Sequence, residues 1–308
     1  MLDTSGMLLR RRARRKQEAA AAVASPGSQS GPASTESVPP ETAPAAEEPR
    51  ADAEPNDKPE ATPTPARPTR SRRGWREAGP LLVLRSAHPK QAFLTAAGVA
   101  AAAALVGRPT RELGLVFVTV LIGQTIVGWH NDLRDRARDA ANETPRKPVA
   151  EGLLDPGTLW FLIACAALLV VPLAIANGVV AGVTYLVIVV VSLLGNLVLR
   201  KSWLSWLPWA VSYGLYPAFL SYGGWGGAAE GSPPEISITL LAALLGVCVH
   251  FLRALPGLVA DNRDGYRHLP LRVALRTGAP RLLWIMIVLT ALVVAALLVT
   301  GNSVGLAQ

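Results

Sequence analysis

The stretch Asn131-Asp132-Leu133-Arg134-Asp135-Arg136-Ala137-Arg138-Asp139 sets three carboxylates and three guanidinium groups against the end of a strongly apolar run, Leu113 to Trp129. Carboxylates beside hydrocarbon are expensive unless a cation or a partner compensates them. On a helix, Asn131, Asp135 and Asp139 stand at i, i+4 and i+8, with Asp132 one position off that line. Successive turns then present oxygen ligands along one stripe. Uncompensated, that stripe repels itself. Mg²⁺ relieves the repulsion, because it takes one or two carboxylates together with water and phosphate oxygens. The spacing suits a metal-bridged diphosphate at a membrane edge. It is shared by an ordinary charged segment in which Arg134, Arg136 and Arg138 neutralise the aspartates.

A second cluster separates these readings. Asp261 and Asp264 lie with Asn262, Arg263 and Arg267 just after another apolar run. A diphosphate needs carboxylates to hold metal and Arg or Lys to neutralise the remaining phosphate charge. Two acidic clusters, each at a helix end and each flanked by cations, supply both.

The elements that must position these groups are apolar. Half of the 308 residues are hydrophobic and 17% are charged. Residues 1–78 are rich in Ala, Pro, Ser, Glu and Arg and nearly free of large apolar side chains, a composition that cannot offset its ordering entropy and reads as a disordered tail. Residues 79–308 read as one all-α domain, a polytopic transmembrane helical bundle of about seven helices, with room for an eighth, around a central cavity. The spans are roughly 91–107, 112–130, 157–176, 178–198, 203–222, 237–256 and 282–300. The first span has room to begin earlier, near Leu81.

Cations concentrate in the loops after the second, fourth and sixth spans: Arg134 to Lys147, Arg200-Lys201, and Arg263 to Arg281. Arg108 and Arg111, after the first span, are the exception. The positive-inside rule places those three loops and the N-terminus in the cytoplasm and makes the chain a multi-pass integral membrane protein, of the plasma membrane if bacterial. The net charge of +8 resides in tails and loops, and no nucleic-acid module is visible. The Arg10–Lys16 and Arg67–Arg76 clusters suit anionic headgroups or a solvated tail. Cys165 and Cys248 lie in apolar runs and read as small hydrophobes.

The first motif, Asn131-Asp132-x-x-Asp135-x-x-x-Asp139 with Arg146-Lys147-Pro148-Val149-Ala150-Glu151-Gly152 after it, resembles the first signature of the UbiA-type membrane prenyltransferase superfamily. Asp261-Asn262-Arg263-Asp264-Gly265-Tyr266-Arg267-His268-Leu269-Pro270 resembles its second signature. Arg85, His88 and Pro89 resemble its opening segment, and Arg200-Lys201 its basic pair. The resemblance runs from about Leu81 to Trp284. It implies Mg²⁺-dependent transfer of an isoprenoid from an allylic prenyl diphosphate to an aromatic or other lipophilic acceptor. By position it implies Asn131, Asp132, Asp135, Asp139, Asp261 and Asp264 as metal ligands, with Asp135, Asp139 and Asp261 at the catalytic centre. Lys147, Arg200, Lys201 and Arg267 would then contact diphosphate.

Two departures stand out. Anchored on Gly265 and Leu269-Pro270, the first carboxylate of the second signature falls on Gly257, with Asp264, one turn beyond Asp261, as a substitute. One apolar span follows the second motif, where the family usually has two or three. A naturally short bundle, completion by another chain and truncation all fit this.

Other polar positions carry weaker signals. His130 precedes the first motif as a cap or an aid to the acceptor, and His250 reads as cavity-lining, with Arg253 one turn on. Gln124 and Asn196 read as interhelical hydrogen bonds, worth about 0.6 kcal/mol each. Trp203, Trp206, Trp209 and Tyr213 read as an interfacial belt, while Tyr213, Tyr216 and Tyr222 suit cation shielding. The alternatives to a prenyltransferase are a terpene cyclase of the same superfamily and a non-enzymatic transporter or scaffold with salt-bridged acidic loops. Charge gathered at one membrane face, rather than at the midplane, favours the enzyme.

Overall fold

The structure, a computed structural model, describes residues 79–224 and 231–303, and the tail reading for residues 1–78 lies outside them. The described residues are helical and contain no strand. The helices are α1 (Gly79–Ser86), α2 (Pro89–Leu105), α3 (Thr110–Ala141), α4 (Pro156–Ala176), α5 (Val179–Leu194), α6 (Leu207–Ser221), α7 (Ile236–Ala254), α8 (Leu258–Arg263), α9 (Leu269–Thr277) and α10 (Ala279–Ser303). A π-turn, Gly195–Leu199, extends α5, a 3₁₀ turn at Trp203–Trp206 leads into α6, and another at Leu255–Gly257 joins α7 to α8.

All seven expected spans are present as helices. Among the described residues, five stretches are long and apolar enough to cross a membrane: α3, α4, α5 with its π-turn, α7 continued through α8, and α10. The other two are shorter, 17 residues in α2 and 15 in α6. Leu168, Val198 and Val299 are among the large apolar side chains left exposed on the outer surface, as hydrocarbon rather than water demands.

Local chemistry fixes the ends. Asp155 caps α4, accepting from the Thr158 backbone N–H at 2.9 Å, with Pro156 at the first helical position. The early start foreseen near Leu81 is a separate helix. His88 adopts φ 51° before Pro89 and breaks α1 from α2. Residues 131–141 continue α3 rather than forming the expected loop. At about 1.5 Å per residue its 32 residues reach about 48 Å, well beyond a hydrocarbon core of about 30 Å. The first motif therefore stands on a rigid helical extension of a span. The expected loop after the sixth span is likewise folded, into α8 and the amphipathic α9.

Among the described residues three apolar cores hold the bundle, the smallest being Leu133, Val149, Leu154 and Leu159 beneath the first motif; two are larger. One joins α2 to α6 through residues such as Val120, Tyr185, Ile188 and Phe219, and the Tyr185 hydroxyl donates to Val120 O at 3.2 Å. The other joins α7, α9 and α10 through Phe251, Leu271, Leu282 and Met286. At the end opposite the acidic motifs, the Arg108 guanidinium donates to Leu220 O and Gly223 O and pairs with Glu112 at 3.0 Å. Arg108, one of the two cations that break the loop-charge pattern, is thus internally compensated.

Candidate active site

Both acidic motifs open on one cavity of about 300 Å³. From α3 its lining takes Gln124, Val127, Gly128, Asn131, Asp135 and Arg138. From α7 and the segment that follows it takes His250, Arg253, Gly257 and Asp261. The π-turn region adds Asn196 and Arg200, and α6 adds Trp209, Tyr213 and Tyr216. Close backbone approach makes this geometry. A Cβ on Gly128 would lie 2.5 Å from Ala87 O, so the α1–α2 turn sits directly on α3 and brings His88 to Asp132.

The carboxylates at the cavity mouth are held by cations from other elements. Arg200 donates to Asp135. Arg138 pairs with Asp261 at 2.6 Å and with Asp264 at 2.5 Å, tying the first motif to the second. His268 completes the Asp261 environment at 2.9 Å. Asp264 is exposed, and the Arg138 hydrogen bond holds its carboxyl below the usual carboxylate range.

Six of the ten sequence-derived site residues point elsewhere or stand beside the cavity. Asp132 is buried against Lys147 at 2.6 Å and His88 at 2.9 Å, and Asp139 lies 3.6 Å from the same Lys147. Asp264 faces Arg138 and Asn142. Lys201 lies over the Tyr266 ring, and Arg267 is exposed, its backbone N–H donating to Lys201 O at 3.0 Å. Asn131, Asp135, Asp261 and Arg200 line the cavity.

Two readings of secondary residues change. Asn196 is not an interhelical hydrogen bond: its buried amide nitrogen has no partner among the described residues, and the residue lines the cavity. Trp209 is not part of an outer belt but a cavity wall, stacked on His250 with ring centroids 5.6 Å apart. Gln124 does bond across helices, donating to the Tyr216 hydroxyl at 3.3 Å. His250 lines the cavity and bonds Ser205 at 3.0 Å. His130 packs edge-on against Trp160, and neither it nor Tyr222 is among the cavity-lining residues.

Sequence reasoning missed Arg138 as a lining residue, and Tyr266. Arg138 lies seven positions after Asn131, two full helical turns, and so shares its face. Tyr266 forms a platform beneath three cations: Arg138 at 4.7 Å, Lys201 at 5.1 Å and Arg200 at 5.8 Å from the ring centroid. Its place beside Arg267 and His268 in the second motif was the available signal.

With this geometry in hand, the model of the UbiA prenyltransferase family matches residues 92–307. The chain belongs to the UbiA prenyltransferase family. No curated protein and no solved structure matches it. Family membership makes this an integral-membrane protein of the prenyltransferase type, consistent with the five membrane-scale apolar helices among the described residues.

The cavity's donor set suits the metal that the UbiA family implies. Asn131, Asp135 and Asp261 offer hard oxygen ligands at the mouth. Among the described residues no three Asp, Glu, His or Cys side chains converge on one point. Mg²⁺ needs no such cage, because it retains water and borrows phosphate oxygens from its substrate.

Proposed function

We propose that this UbiA-family chain transfers an isoprenoid from an allylic prenyl diphosphate to a lipophilic acceptor, with Mg²⁺, at the cavity shared by α3, α5, α6 and α7. The observation that carries the reading is that Asp135 and Asp261, from motifs 126 positions apart in the sequence, line one cavity with Arg138 and Arg200 between them. Bound there, Mg²⁺ would neutralise diphosphate charge and make it a better leaving group.

Asn131, Asp135 and Asp261 would hold the metal, and Arg138 and Arg200 would turn from carboxylate to phosphate oxygens. Lys147, Lys201 and Arg267 supply positive potential around that end, while Asp132, Asp139 and Asp264 keep the surrounding cations in place. When the allylic C–O bond breaks, its electron pair leaves with the diphosphate. The tyrosine and tryptophan walls stabilise the allylic cation and keep water away from it. The acceptor then supplies the electron pair for the new bond and releases a proton. The mouth, with its basic loops, lies on the cytoplasmic side in this reading.

Labelled geranylgeranyl diphosphate should bind the detergent-purified chain with Mg²⁺, and EDTA should abolish the binding. Equal binding with and without EDTA would remove the metal from the reading. Turnover without any acceptor would identify a cyclase instead.

The Tyr266 platform gives a second prediction. Tyr266→Leu should raise KM for the prenyl diphosphate about tenfold, since loss of cation–π contacts costs about 0.5–2 kcal/mol. Tyr266→Phe keeps the ring face and should stay close to the parent. Steady-state kinetics at varied diphosphate check this, and equal KM values for both variants would dismiss the platform.

A further inference from the structure

Helix α9 carries charge that the cavity does not use. Its 9 residues, Leu269–Thr277, reach about 14 Å, too short to cross hydrocarbon. Gly278, at φ 82°, turns the chain directly from α9 into the span α10. The helix therefore lies at a membrane surface, at the same end of the bundle as Asp261. Its inner face is fixed: Leu271 and Ala274 are buried in the core that holds Phe251, Leu282 and Met286. Its outer face is open. Arg272 lies one turn before Leu275 and Arg276, and all three are exposed along one stripe. Arg281, just past the turn, is exposed as well. Among the described residues none of these three arginines pairs with a carboxylate, whereas Arg138 and Arg200 both do.

Three such cations on one short stretch call for an anion, and the surface around them is apolar. Leu275 is 65% exposed beside the helix arginines, and Trp284 is 68% exposed one turn past Arg281. Leu283, Ile285 and Val288 continue the exposed hydrocarbon along α10. Cation, then indole, then aliphatic side chain is the order met on passing from headgroups into acyl chains. A soluble anion has no use for the outward leucine and indole; a lipid has. A basic amphipathic helix at that depth belongs to the membrane-surface class. Each Lys or Arg near an anionic surface strengthens association about fivefold.

His268 ties this helix to the cavity. Its Nδ1 accepts from the Leu271 backbone N–H at 3.2 Å and caps α9. The ring proton is then on Nε2, which donates to Asp261 Oδ2 at 2.9 Å. We propose that the outer face of α9, together with Arg281, is a binding site for anionic phospholipid, and that a lipid seated there steadies Asp261 through His268. Arg272, Arg276 and Arg281 hold the headgroup phosphate, and Leu275 and Trp284 meet the acyl chains. The site stands independently of the prenyl-transfer reading.

The test is native mass spectrometry of the full chain, released from micelles holding equal amounts of phosphatidylglycerol and phosphatidylcholine with the same acyl chains. The parent should retain phosphatidylglycerol at least about tenfold over phosphatidylcholine. Arg272→Gln/Arg276→Gln/Arg281→Gln should bring the two lipids near parity. Lys at the same three positions keeps the charge and should keep most of the preference. Arg70→Gln/Arg72→Gln/Arg73→Gln, in the basic run before α1, should keep it too. Leu275→Ser should lower phosphatidylglycerol retention, and glycerol 3-phosphate, the headgroup without chains, should not displace the lipid. Added phosphatidylglycerol should slow amide hydrogen exchange across residues 258–271 in the parent and not in the triple Gln variant. Equal retention of both lipids by the parent, or a preference that survives the triple Gln change, overturns the site. So does a preference lost in the Arg70, Arg72, Arg73 variant, which would move it to that run. Lys variants as poor as the Gln variant overturn the role of charge. Displacement by glycerol 3-phosphate would replace the lipid with a soluble anion. Unchanged exchange with lipid bound would strike the link to Asp261.

Discussion

Asp135→Asn should lower prenyl-transfer turnover by about 10²–10³-fold, the scale on which removal of one preorganised charge-stabilising group acts. The substitution keeps the side chain's size and one oxygen and removes its charge. Arg200, which now donates to Asp135, would face an amide instead. Asp261→Asn should act similarly, because that carboxylate anchors both Arg138 and His268. The losses should appear in turnover and in Mg²⁺-dependent diphosphate binding, while the thermal unfolding midpoint moves by only a few degrees. The double variant should be scarcely worse than either single one, since residues that act as a unit are not additive. A variant that keeps more than about a tenth of parental turnover would show that the carboxylate is not part of the reacting centre.

Gly246→Leu should destabilise the bundle by about 1–3 kcal/mol or more, the cost of overpacking a closed interface. A Cβ at this position would lie 2.4 Å from Trp209 O and 2.7 Å from Tyr213 Cβ, so even the first added carbon must push α6 away from α7. The nearest obstruction on the α6 side, Trp209 O, is backbone, which cannot swing aside as a flexible side chain would. Trp209 and Tyr213 are also cavity walls, so the displacement should weaken ligand binding along with stability. Thermal unfolding in detergent checks the first effect. An unchanged midpoint would mean that the two helices do not pack this closely.

Much of the architecture follows from composition and spacing. A run of about 20 apolar residues has few alternatives to a membrane helix, because only a helix satisfies its own backbone in hydrocarbon. The α4 start was equally local, since Asp155 and Pro156 define a capped terminus without tertiary help. The two acidic motifs, and hence the family, were likewise readable directly from residue type and interval.

Which of those carboxylates face the cavity was a tertiary matter. Each four-residue step turns a helix by about 400°, so a stripe read as i, i+4, i+8 drifts about 40° per step. Asn131 and Asp135 remain on the cavity side; Asp139 has rotated to Lys147, and Arg138 has taken its place on the lining. Asp132 faces His88 because Gly128 lets the α1–α2 turn come close, which no local propensity encodes. Trp209 read as a surface anchor because an indole suits either a lipid interface or an enclosed wall, and only the contact with α7 distinguishes them. Arg253 was visible as a charge one turn after His250, but that it lines the cavity with no carboxylate partner among the described residues followed only from the packing of the helices. Sequence alone thus determined the chemistry available and the spans that carry it. Packing decided which groups meet, because helix rotation and interhelical distance depend on side chains far apart in the chain.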